Sequence, residues 1–139
     1  MRGFIKAILS FLFGEIEECE DVLIVGKDVD WSGEPVEMLV KLGVDISRLK
    51  RPIRRVLPIV DRVYREHGEE AVITSTYEGD HSPGSLHYAD LAIDIRYAKD
   101  NPTGVAMELV REIRDKLGED YDIVFEEDHL HIEYDPKGR

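Results

Sequence analysis

Two short segments of this chain alternate so strictly that a β-strand is the one regular element able to segregate their apolar residues. In "LAIDIR" (91–96), Leu91, Ile93 and Ile95 interleave with Ala92, Asp94 and Arg96. In "HLHIEY" (129–134), Leu130, Ile132 and Tyr134 interleave with His129, His131 and Glu133. Successive side chains of a strand point to opposite faces, so each segment turns one apolar face to a core and keeps carboxylate or imidazole on the other. Placed in one sheet, the two strands line the same open side. Asp94 between two isoleucines then lines a cleft and does not interrupt a core.

The remaining segments read as helices and strands around that sheet. "DVLIV" (21–25) and "AVITS" (71–75) have strand composition. "EPVEMLVKLG" (34–43) shows helical spacing at Val36, Leu39 and Val40 and ends at Gly43. "RPIRRVLPIVDRVYREHG" (51–68) places Ile53, Val56, Leu57, Val60, Val63 and Tyr64 on one helical face. Pro52 suits a first turn, Pro58 should kink or delay the helix, and Gly68 stops it. "NPTGVAMELVREIRDKLG" (101–118) gives a second helix whose apolar face is Val105, Ala106, Leu109, Val110, Ile113 and Leu117. "YDIVFE" (121–126) and "HLHIEY" close the chain as two strands joined through acidic residues. This order fits an α+β domain with a small, mainly antiparallel sheet and helices packed on one face. Residues 21–139 form one domain, preceded at 1–20 by an amphipathic helix or extension.

Composition narrows the functions open to such a domain. With 139 residues, 42% hydrophobic and 35% charged, the chain is soluble and globular rather than disordered. Its net charge of -12 argues against a nucleic-acid partner, because phosphate affinity needs Lys and Arg. The basic "RLKRPIRR" (48–55) reads as a solvated helix face. A single cysteine, Cys19, sits in the acidic "EIEECED", which raises a thiol pKa. A thiolate zinc site is thereby excluded, and any metal must be held by histidine and carboxylate. In "MRGFIKAILSFLFG" (1–14), the apolar run Ala7–Phe13 is too short to span a bilayer, and no small-x-small cleavage site follows. A packed amphipathic helix is favoured there over a membrane anchor. Localisation stays open between cytoplasmic before release and membrane-associated through this segment; a monomer is the expected state.

Four of the five histidines fall in the two segments 81–96 and 129–134. His87, Asp94 and His131 together offer two imidazoles and a carboxylate, a set suited to Zn²⁺ with a fourth position free for water. Each residue alone has a plainer reading: a histidine capping a Gly-Ser turn, an aspartate paired with Arg96, a chance His-x-His in an exposed strand. Jointly they favour a metal.

A family resemblance lies on these same residues. "SLHYADLAID" (85–94) closely resembles the S-x-H-x-x-G-x-A-x-D signature of the zinc D-alanyl-D-alanine metallopeptidases and of the related L-alanyl-D-glutamate endopeptidases of phage lysins. Ser85, His87, Ala92 and Asp94 match it, while Asp90 replaces the glycine. "EEDHLHIEY" (126–134) resembles the second signature, with Asp128 three residues before His131. The resemblance implies a hedgehog/D-Ala-D-Ala peptidase-like fold and one Zn²⁺ on His87, Asp94 and His131. It also implies a cell-wall peptide substrate containing D-amino acids. Asp128 would be the general base, with Glu127 its rival, and His129 would stabilise an oxyanion or hold substrate. Ser85 would shape the loop or bind substrate. Many relatives carry an arginine just after the strand equivalent to "AVITS", where this chain has Glu78. Arg96, His81 or a lysine replaces it, or the substrate presents no free carboxylate there. An endopeptidase or amidase fits that departure slightly better than a carboxypeptidase. A zinc-stabilised, non-catalytic binding module of the hedgehog-like kind is the alternative, and a metal-free interaction domain a third; the intact Asp128 favours the peptidase.

Overall fold

A computed structural model describes residues 38–96 and 104–137 together with the strand segments 22–24, 28–29 and 35–36. The expectations for residues 1–20, including Cys19, lie outside these residues. In chain order the elements are β1 (Val22–Ile24), β2 (Asp28–Val29), β3 (Pro35–Val36), β4 (Leu39–Lys41), α1 (Arg51–Arg54), α2 (Val56–Glu66), β5 (Val72–Ser75), β6 (Ala92–Arg96), α3 (Gly104–Leu117), β7 (Tyr121–Phe125) and β8 (His129–Tyr134). Six strands form one sheet in the order β1-β4-β5-β6-β8-β7, antiparallel at every junction but β4–β5. β2 and β3 pair as a separate ribbon. The α+β class and the mostly antiparallel sheet follow the alternation seen in the sequence. Among the described residues, no helix is long and apolar enough to cross a membrane.

The helices cover one face of the sheet. Ile53, Val56, Val60, Val63 and Tyr64 join Leu109 and Ile113 of α3 and the sheet residues Ile73, Ile93, Ile95, Leu130 and Ile132 in one buried cluster. Each such aliphatic side chain taken out of water contributes roughly 1.5–3 kcal/mol, so this layer supplies the main drive for folding. The two prolines divide the helical run as their chemistry requires. Pro52 sits in the first turn of α1, and the interruption at Arg55 places Pro58 in the first turn of α2, where a missing N–H costs nothing. The buried Tyr64 donates its hydroxyl to the Arg96 carbonyl at 2.9 Å, which ties α2 to the end of β6.

Residues 34–43 are not the helix that their spacing predicts. β3 and β4 occupy this segment, and β4 is paired on both sides, antiparallel to β1 and parallel to β5. Met38 and Val40 are buried while Lys41 is exposed, a two-residue alternation concealed beneath the helical spacing of Val36, Leu39 and Val40. Local helix preference is worth only tenths of a kcal/mol per residue. Ladder hydrogen bonds from both neighbours, with Leu39 N–H reaching Ala71 O at 3.1 Å, outweigh it.

The register of the central strands sets up the site. Between β6 and β8, Asp94 pairs with His131, Arg96 with His129 and Ala92 with Glu133, while Ile93 faces Ile132 and Ile95 faces Leu130. Cross-strand partners share a face. The polar residues therefore gather on the side away from the helices.

Candidate metal centre

Two ligand candidates come from these strands and the third from the loop between β5 and β6. That loop closes on itself through Ser85 N–H to Ser82 O (2.9 Å), Asp90 N–H to His87 O (3.1 Å) and Leu91 N–H to Leu86 O (3.0 Å). Ser85 Oγ accepts the backbone N–H of His87 at 3.3 Å, so the hydroxyl shapes the turn that delivers the ring. Asp90 has φ 61°, the left-handed region favoured by glycine and tolerated best by Asn and Asp. An aspartate is therefore compatible with this turn.

His87 Nε2, Asp94 Oδ1 and His131 Nδ1 converge, with separations of 3.1 Å (His87–Asp94), 3.1 Å (His87–His131) and 2.9 Å (His131–Asp94). The far side of each ring fixes its proton. His87 Nδ1 lies 2.5 Å from the Thr76 carbonyl, which only accepts, so the N–H is there. His131 Nε2 lies 2.8 Å from Glu133 Oε2 and donates to that carboxylate. Neutral rings so anchored turn two nitrogen lone pairs onto each other and onto a carboxylate oxygen. His87 is 2% and Asp94 7% exposed, so little water screens that repulsion. A cation among the three atoms removes it. Ligand atoms of a tetrahedral zinc lie about 3.3 Å apart, close to the separations seen. The second partners, a carbonyl and a carboxylate, are those that orient metal-bound imidazoles.

Without a cation, protons must serve the same purpose. Burial opposes charge on His131, but hydrogen bonds with Asp94 and Glu133 win and push its pKa up to about 9. Burial likewise acts to raise Asp94, yet hydrogen bonds from His131 and His87 hold it well below the ordinary carboxylate range.

His81, His87 and Asp94 also form a group that can hold a metal ion, their ligand atoms lying within 4.8 Å of one another. The rings of His81 and His87, however, stack face to face at 3.8 Å and 7°. Two imidazoles sharing one ion have centres about 4.5–5.2 Å apart. His87 and His131, at 4.9 Å and 53°, meet that condition and the stacked pair does not. His131 is accordingly the better third ligand.

The turn residues take up distinct positions. The Asp128 side chain is 87% exposed, and its Oδ1 accepts the Nδ1–H of His129. His129 Nε2 lies 3.6 Å from Asp94 Oδ1. Asp128 therefore meets the cluster through His129, and Glu127 stays exposed in the turn. Arg96, exposed, stands opposite His129 on β6. Glu78 is engaged by Thr76 of its own loop and by the Asp45 backbone N–H. Its carboxylate accepts Thr76 N–H at 2.7 Å and the Thr76 hydroxyl, and these bonds lower its pKa although burial acts to raise it. The supporting roles of Thr76 and Glu78 escape sequence inspection, since one acts through a backbone carbonyl. Glu133 was visible in the alternation, two residues beyond His131 on the same face.

No protein-family model, curated protein or solved structure matches the chain.

Proposed function

We propose that the chain is a zinc-dependent peptidase that hydrolyses an amide bond in cell-wall-type peptides containing D-amino acids. Residues 21–139 would then form a domain of the hedgehog/D-Ala-D-Ala peptidase kind. The observation that carries the proposal is the convergence of three ligand atoms, His87 Nε2, Asp94 Oδ1 and His131 Nδ1, flanked by an Asp128–His129 pair. The substrate class rests on the resemblance of "SLHYADLAID" and "EEDHLHIEY" to the two signatures of those peptidases.

Zn²⁺ held by His87, Asp94 and His131 supplies Lewis acidity toward a carbonyl and lowers the pKa of water. The chain's own residues manage the proton. His129 Nε2 takes it from the attacking water and returns it to the leaving nitrogen, while Asp128 holds the ring in the Nδ1–H tautomer and stabilises its charged form. Asp128 thus serves as the base of the signature at one remove. Ser85 and His81 are engaged in the loop, so Arg96 is the residue left to contact substrate. With Glu78 satisfied internally, the site lacks the arginine that relatives carry there. That supports cleavage within a peptide over removal of a terminal residue.

Metal analysis of the purified protein and digestion of muropeptides and D-alanyl peptides test the proposal. One zinc per chain is expected, lost in His87→Ala and in His131→Ala; full stoichiometry in both variants would remove the site. Zinc bound without cleavage of any such peptide would favour the non-catalytic binding module.

A further inference from the structure

The loop between β5 and β6 grips His87 twice, and the second grip has no role in the chemistry above. The first is the Thr76 carbonyl on Nδ1, which sets the tautomer and pins one edge of the ring. A single hydrogen bond leaves the ring free to rock about its own axis. The second is His81, whose ring lies flat on the face of His87 at 3.8 Å and 7°.

His81 is itself held through its Nε2 and its backbone. Its Nε2 lies 2.9 Å from the Glu78 carbonyl, which only accepts, so Nε2 carries the proton; Ser75 Oγ is 3.1 Å from the same nitrogen. The Tyr88 hydroxyl accepts the His81 backbone N–H at 2.9 Å and sits 3.1 Å from the His81 carbonyl, to which it donates. Ser75 pairs in register with Asp94, so the frame is built on the strand beside a ligand. Glu78 accepts the N–H of Thr76, the residue whose carbonyl meets His87 Nδ1. The Thr76 carbonyl and the His81 ring thus bring two contacts from 75–81 onto the ligand ring.

We propose that His81 is a positioning residue for metal binding: its stacked ring fixes the His87 imidazole at the angle the ion requires. The proposal rests on the metal reading above and assigns His81 neither to substrate nor to the ion. Metal sites need ligand rings held to within roughly 10–20°, which a flat contact on the ring face provides. A phenyl ring can make that contact but cannot ligate.

The test is zinc affinity by chelator competition for wild type, His81→Ala and His81→Phe, with the visible spectrum of each Co²⁺ form and the melting temperature of each chelated form. His81→Ala should lose about 10–100-fold in affinity, the range for residues that orient a ligand. Its Co²⁺ bands should shift, and its chelated form should melt with the wild type. His81→Phe should recover most of the affinity and the wild-type bands. Wild-type affinity in His81→Ala would overturn the proposal. So would a His81→Phe variant no better than His81→Ala, since His81 would then act through a nitrogen. A wild type that binds no zinc would fail at the first measurement and sink the metal reading together with this one.

Discussion

Zinc binding at neutral pH should expel a proton from His131. In the metal-free chain its hydrogen bonds to Asp94 and Glu133 hold the pKa at about 9, so near pH 7 the ring is almost wholly protonated. The ion needs the Nδ1 lone pair, which only the neutral ring offers. Two pH units separate 7 from 9, so apparent affinity at pH 7 should lie on the order of 10²-fold below its plateau. Between these limits affinity should climb about tenfold per pH unit and flatten above about 9. Calorimetric titration in two buffers of different ionisation enthalpy counts the protons, and chelator competition follows the affinity. About one proton per zinc near pH 7 is expected. Glu133→Gln removes one of the two groups that stabilise the charged ring and should move the flattening point to lower pH. Affinity that stays level from pH 7 to 9 with no proton released would refute the assignment of His131 Nδ1 as a ligand.

Two further outcomes follow from the same geometry. His131 is raised above its unfolded value of about 6.5, so its stabilisation of the metal-free fold is complete below that pH and is lost as pH rises through about 9. The chelated protein should therefore melt at progressively lower temperature across that window; a flat or rising profile contradicts it. Asp128→Asn and His129→Ala should each keep zinc and lose about 10²–10⁴-fold in turnover, and the double variant should be little worse than either. Full activity in Asp128→Asn would move the proton to Glu127, and additive losses would mean that Asp128 acts without His129.

The most legible parts of this protein were those where a single period governs the fate of side chains. Alternation in 91–96 and 129–134 separated Ile93, Ile95, Leu130 and Ile132 from Asp94, His129 and His131, and the same division holds in the folded sheet. Residues 34–43 were illegible because apolar residues at 36, 39 and 40 satisfy a helical period, while the two-residue period of Met38 and Val40 needs a partner on each side to show itself. Asp128 was placed correctly in the turn, but its engagement with His129 depends on a side-chain contact that no spacing encodes.

By itself the sequence determined the α+β composition, the face on which Asp94 and His131 stand, and the chemistry that histidine and carboxylate without cysteine allow. These follow from local rules: strand periodicity, proline placement and donor type. Only the tertiary structure decided which imidazoles can share an ion. His81 and His87 are six residues apart in one loop, yet their rings stack face to face, an arrangement less suited to sharing one ion. His131 is far along the chain and does converge, because β6 and β8 pair in a register that sets it beside Asp94. Convergence is a property of long-range strand pairing, and no segment of the chain holds it alone.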